Sequence, residues 1–216
     1  MRRGLIGALL VVAALVAVAV AYAGGHEQIK YNAADQAAAR AATLKRADLT
    51  SATGWTGGST KPDISAPPSC PNYQVDLSKY VLTGAARTHW SAGARQVSSQ
   101  TEVLQTAQMV AAEWRLQILK RGAIACLRSL LAQSFTSTGG SLVSFTKVAF
   151  PKLGQYTVAF RLVGVVQNIR AVVQVVLVGK GRTEVELTVS DLAAAQSAVA
   201  ADALHYARIL AARVKS

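Results

Sequence analysis

The chain is poor in the residues that carry most specific chemistry. Its 216 residues include two cysteines, three histidines and 11 acidic residues, against 23 lysines and arginines. So few cysteines and histidines exclude a zinc cluster, a multi-haem array and a disulfide-dense toxin. Glycine and proline follow no collagen-like period, no heptad repeat sustains a coiled coil, and one long apolar run is too few for a polytopic transporter. Phosphate-binding loops are also missing, because Gly57-Gly58 and Gly139-Gly140 are not followed by Gly-Lys-Ser/Thr. No Gly-x-Ser-x-Gly elbow occurs. What is present is apolar: 51% of residues are hydrophobic and only 16% charged, enough to bury a core. The length fits one domain plus a short extra segment.

That extra segment is N-terminal. Arg2 and Arg3 precede an unbroken apolar run from Leu5 to Val20, and Ala21-Tyr22-Ala23 fits a small-x-small cleavage site. As a helix, Leu5 to Ala23 reaches about 28 Å, close to the thickness of a hydrocarbon core. Residues 1–23 therefore read as a signal peptide or a membrane anchor, residues 24–31 as a linker, and residues 32–216 as a single extracytoplasmic domain. Export bears on Cys70 and Cys126, because an oxidising compartment favours joining them. Their bridge would pin a Pro-rich loop to a helix, worth about 4 kcal/mol by loop closure. A buried free thiol and a catalytic thiol are the alternatives.

Along the exported chain, residues 32–46 are alanine-rich with Asn32 as N-cap, which predicts a helix. Residues 50–69, dense in Gly, Pro, Ser and Thr, predict a long loop around Trp55. Two β-prone runs, 79–90 and 94–103, flank Ser91-Ala92-Gly93. Residues 106–133 are helical, with Met109, Ala112, Leu116 and Leu119 as the apolar stripe and Gly122 as a break. Strands follow over 142–150, 155–167, 169–178 and 183–189, and a last helix over 191–214. In the last strand Val185, Leu187 and Val189 point to a dry face, and Glu184, Glu186 and Thr188 to a wet one. This order predicts an α+β fold: an antiparallel sheet of about six strands packed against helices, preceded by an N-terminal apolar helix.

Candidate chemistry is sparse. His26, His89 and His205 are scattered, so no metal and no cofactor is expected. Glu184 and Glu186, two apart on one strand, form a candidate general acid/base pair, with a solvated sheet face as the alternative. Glu102 and Glu113 read as single charges on separate elements. The net charge of +12 is spread along the chain with little aromatic interleaving. In an exported protein this suits anionic headgroups or acidic wall polymers, and nucleic acid is not an expected partner. Trp55 and Trp90 are candidate ligand contacts in a pocket between sheet and helices, or plain core residues.

Several strings carry a resemblance: Gly54-Trp55, Lys61-Pro62-Asp63, Ser69-Cys70-Pro71, Ala125-Cys126-Leu127-Arg128, Phe150-Pro151-Lys152-Leu153-Gly154 and Tyr156-Thr157-Val158-Ala159-Phe160-Arg161. With these the chain resembles a family of uncharacterised exported actinobacterial proteins. More distantly it is similar to the extracellular sensor domains of actinobacterial serine/threonine kinases and to small mycobacterial lipoproteins of PsbP-like fold. The resemblance implies an α/β/α sandwich and no catalytic set. The chain lacks both a kinase domain and a lipidation cysteine. The expectation is a non-enzymatic exported module of the cell envelope that binds a ligand or protein partner, tethered through residues 5–23 or released. An envelope-polymer hydrolase and a lipid carrier are the alternatives, and the oligomeric state is not legible.

Overall fold

Two antiparallel units share one sheet. Strands β3 (Val81–Ala92) and β4 (Arg95–Leu104) form a hairpin around Gly93. Strands β5 (Gly140–Val148), β6 (Tyr156–Val166), β7 (Ile169–Lys180) and β8 (Thr183–Leu192) form a meander. Gln167 and Asn168, both at positive φ, make the tight β6–β7 turn. The two units join where β4 pairs β8. Two short strands complete the sheet, β1 (Gln28–Ile29) and β2 (Thr56–Thr60), and both pair with β3. A computed structural model of the chain describes residues 27–50, 54–64, 70, 73, 75–120 and 122–215. The apolar segment 1–23 and His26 lie outside the described residues.

The sheet therefore has eight strands rather than about six, and it is mixed rather than antiparallel. Its parallel member is β1, which lies in the stretch read as a linker and runs alongside Val81 and Leu82. Strand β2 lies inside the stretch expected to be loop. Its Thr-Gly-Gly-Ser-Thr sequence has no apolar alternation, so only backbone pairing reveals it. Gly57 is needed there, because a Cβ would lie 2.1 Å from the His89 carbonyl oxygen.

Helices cover both faces. On one side lie α1 (Ala33–Ala41) and, near the C-terminus, a long helix (Gln196–Arg213). Asn32 caps α1 by accepting from the Asp35 N–H at 2.9 Å. The long helix buries Val199, Ala203, Tyr206 and Leu210 against Val185, Leu187 and Val189. It starts later than 191 because Asp191 and Leu192 still pair with Val172 and Ala171 on β7. Bidentate ion pairs fix this layer: Arg213 to Asp48 at 2.6 and 2.7 Å, and Arg182 to Asp35 at 2.7 and 3.2 Å.

The other face carries α2 (Ala107–Trp114), a single π-helical turn (Arg115–Leu119) and α3 (Ala123–Ser137). The long C-terminal helix is α4. Gly122, at φ +95°, separates the π-turn from α3 in a conformation that L side chains rarely adopt. The face of β8 expected to be wet lies under this second layer. Among the described residues no helix is long and apolar enough to cross a membrane.

Cys70 and Cys126 form a disulfide, with Cα atoms 5.8 Å apart. It ties the segment before β3 to α3, and Tyr73 beside it donates a hydrogen bond to the Leu116 carbonyl. Such a bond is consistent with an extracytoplasmic protein. Closing 56 residues of sequence, it should contribute about 4 kcal/mol. Denaturant unfolding of Cys70→Ser/Cys126→Ser should show a loss of that size. An unchanged midpoint would show that the bridge does not constrain the unfolded chain.

Candidate functional site

The α2–α3 layer does not close completely on the sheet. Between them lies a cavity of about 90 Å³. Its apolar wall comes from Leu127 and Leu131 of α3, Phe145 of β5, Phe160 and Leu162 of β6, and Val175 and Leu177 of β7. Its other end is acidic: Glu102 from β4, Glu184 and Glu186 from β8, and Glu113 from α2.

Strand register explains the cluster. Side chains alternate faces along a strand, so Gln100 and Glu102 share the face that carries Glu184 and Glu186. The register places Glu102 directly opposite Glu184 and Gln100 opposite Glu186. Helix α2 adds Glu113 from above, one turn from Gln117 in the π-turn. The Gln117 side-chain amide donates to Glu113 at 2.6 Å, and the Gln100 amide donates to Glu102 at 2.6 Å. Gln100 is itself held by both backbone groups of Asp63, at 2.8 and 2.9 Å.

Trp114 lies flat at the junction of the two halves. It stacks on Tyr156 with ring centroids 5.3 Å apart and hydrogen-bonds Glu184. Gly179, opposite Glu184 on β7, makes room for it, since a Cβ there would stand 2.8 Å from the indole nitrogen.

The electrostatics are one-sided. Glu102 and Glu113 are each only 3% exposed. Glu184 and Glu186 keep some accessible surface and line the cavity. Burial is the main cause that pushes Glu184 and Glu186 up to about 8, and Glu27, just before β1, up to about 7. Burial, then repulsion by the neighbouring carboxylates, raises Glu102 and Glu113 well above the ordinary range. Only Glu186 has a cation pulling it back, Arg87, together with a hydrogen bond from Thr188 at 3.3 Å. Both Glu27 carboxyl oxygens, Glu102 Oε2, Glu113 Oε2 and Glu184 Oε1 are buried with no hydrogen-bond partner among the described residues.

All five glutamates of the chain, Glu27, Glu102, Glu113, Glu184 and Glu186, belong to this cluster. None forms an ion pair among the described residues, whereas Asp35, Asp48, Asp63, Asp191 and Asp202 each pair with an arginine.

The candidate pair Glu184 and Glu186 is thus brought together with Glu102 and Glu113, which sequence reasoning treated as isolated. Glu113 was missed because the buried stripe of α2 is Val110, Glu113 and Trp114, continuing to Gln117 in the π-turn. The stripe expected from Met109 to Leu119 is out of phase with it, and Leu119 is 61% exposed. Trp55 and Trp90 lie on the opposite face, packed with the α4 core, and do not line the cavity. The Trp55 indole donates to the Thr50 carbonyl at 3.1 Å. His89 is half-buried on β3 and His205 is exposed on α4. Among the described residues no group of three His, Cys, Asp or Glu is placed to hold a metal ion.

A carboxyl whose pKa is raised by folding stabilises the fold in its neutral form. That contribution is complete below the unfolded value of 4.5 and is lost as the pH rises through about 8. Asp35 and Asp48 act oppositely: burial raises them, but hydrogen bonds from Arg182 and Arg213 outweigh it and hold them low. Their contribution is lost only as the pH falls below the ordinary carboxylate value. The thermal midpoint should therefore peak near about pH 5 and fall steadily to about pH 9. A flat profile across that range, or a maximum at its alkaline end, would contradict the cluster as described.

No protein-family model matches the chain, and no curated protein matches it in sequence, so the cavity's own geometry carries the functional reading.

Proposed function

We propose that the chain is a non-enzymatic module of the cell envelope, exported by its N-terminal segment, that binds a small and largely apolar ligand between its sheet and the α2–α3 layer. The observation that carries this reading is a cavity with hydrocarbon walls and a few buried polar groups at one end, the usual composition of small-molecule sites. A second, more open hollow of about 240 Å³ shares Trp114, Ile118, Ile124 and Phe160 with the first and extends the room available to a ligand. The π-helical turn over the cavity supports the same reading, since such turns recur at functional sites. Tethering by residues 5–23, or release after Ala23, places the module at the envelope in either case. The outward excess of positive charge suits acidic polymers or headgroups there.

The hydrolase alternative has less support. Glycosidic acid/base work needs one carboxyl kept neutral and its partner ionised. Here burial moves Glu102, Glu113, Glu184 and Glu186 in the same direction.

Val175, on the apolar wall, offers a test. If the cavity is open to ligands, the full chain binds n-hexanol saturably in calorimetric titration. Val175→Phe should fill the space, abolish that binding and leave the thermal midpoint unchanged or higher. Absence of saturable binding by the unaltered chain would overturn the reading. So would a Val175→Phe variant that binds as before while losing the roughly 1–3 kcal/mol typical of overpacking.

A further inference from the structure

Among the described residues no cation offsets the charge of Glu102, Glu113 or Glu184 at the acidic end of the cavity, and only Glu186 feels one, Arg87. The chain holds 23 lysines and arginines, yet the ion pairs they form among the described residues all go to aspartates. Glu102 and Glu184 face each other directly across β4 and β8, an arrangement that is unfavourable for like charges. Of the glutamates that line the cavity, Glu102, Glu113 and Glu184 each have one carboxyl oxygen buried without a partner among the described residues. A native fold rarely leaves so many acceptors unfilled in one place.

We propose that this end of the cavity receives the protonated amino group of an amphiphilic amine, whose hydrocarbon body lies along Leu127, Leu131, Phe160 and Val175. The inference rests on the ligand-binding reading above and specifies the ligand's head. An alkylammonium carries three N–H donors and no acceptor, one for each unfilled oxygen of the glutamates lining the cavity. It enters as a cation, one carboxyl of the cluster passes its proton to solvent, and the resulting ammonium–carboxylate pair is neutral. A carboxylate head would add a sixth acid to the five glutamates. A hydroxyl head would satisfy at most part of the set and bring no charge.

Calorimetric titration of the full chain with n-hexylamine, n-hexanol and sodium hexanoate at neutral pH tests this, because the three share one hydrocarbon body. The amine should bind at least about tenfold more tightly than the alcohol, and hexanoate should be the weakest. Glu102→Gln and Glu184→Gln should each cut amine affinity towards that of hexanol while leaving hexanol binding intact, which also reports that the cavity has kept its shape. Equal binding of amine and alcohol, or a preference for hexanoate, would overturn the amine head and leave the cavity reading standing. Failure of all three probes to bind would overturn both.

Discussion

Five glutamates gathered in the fold, none in an ion pair among the described residues, are the constraint around which the rest of the molecule is arranged. Burying a bare carboxylate costs several kcal/mol, a large share of a domain's whole net stability of about 5–15 kcal/mol. The cluster can persist only as neutral acids, or paired with something that arrives from outside. Gln100 and Gln117 each satisfy one oxygen of a glutamate, and Trp114 reaches Glu184. These contacts organise the acids without neutralising them. The opposite face carries the compensating stability, where Tyr206, Leu210 and Val199 of α4 lie fully buried on β7 and β8.

Charge is therefore sorted by residue type. Five of the six aspartates are matched by arginines: Asp35 ties α1 to Arg182 in the β7–β8 turn, Asp202 ties α4 to Arg95 of β4, and Asp48 ties the segment after α1 to Arg213 of α4. Such part-exposed pairs stabilise modestly, but they hold the layer on the α4 side in register. Glutamates sit inside and are left unmatched. Other basic side chains face outward, as at Lys120 beside Tyr73 and Lys147 at the rim of the outer hollow. A disulfide-bonded domain with this surface carries its excess positive charge outside and presents an acidic interior to the cavity.

Much of this fold was legible in the chain. Strands β5 to β8 follow one another through short turns, so local alternation and turn residues sufficed. Gly122 marked the break between α2 and α3 because only its backbone adopts φ +95° comfortably. The two cysteines were readable as a pair because the apolar run after Arg2 and Arg3 implied an oxidising compartment. What failed was anything set by contacts distant in sequence. The β4–β8 pairing that aligns Glu102 with Glu184 joins strands with the whole α2–α3 layer and three strands between them. Nothing local encodes that register. Glu184 and Glu186 looked solvated because a polar alternation on one strand is identical whether water or a second helical layer lies above it. Glu113 was hidden by a one-residue error of phase, since Met109 and Leu119 mimic an apolar stripe that in fact runs through Val110 and Trp114. The concentration of every glutamate in one cluster was present in the composition, yet it acquires meaning only once the topology brings the five together.

The central claim concerns the protonation of these acids, and site-resolved carbon NMR of the glutamate side-chain carboxyls measures it directly. In the ligand-free chain Glu184 and Glu186 should titrate near pH 8 and Glu27 near pH 7. Glu102 and Glu113 should stay protonated well above the ordinary range. Five glutamates that all titrate near their unfolded value of 4.5 would mean that the carboxyls are not withdrawn from water as described.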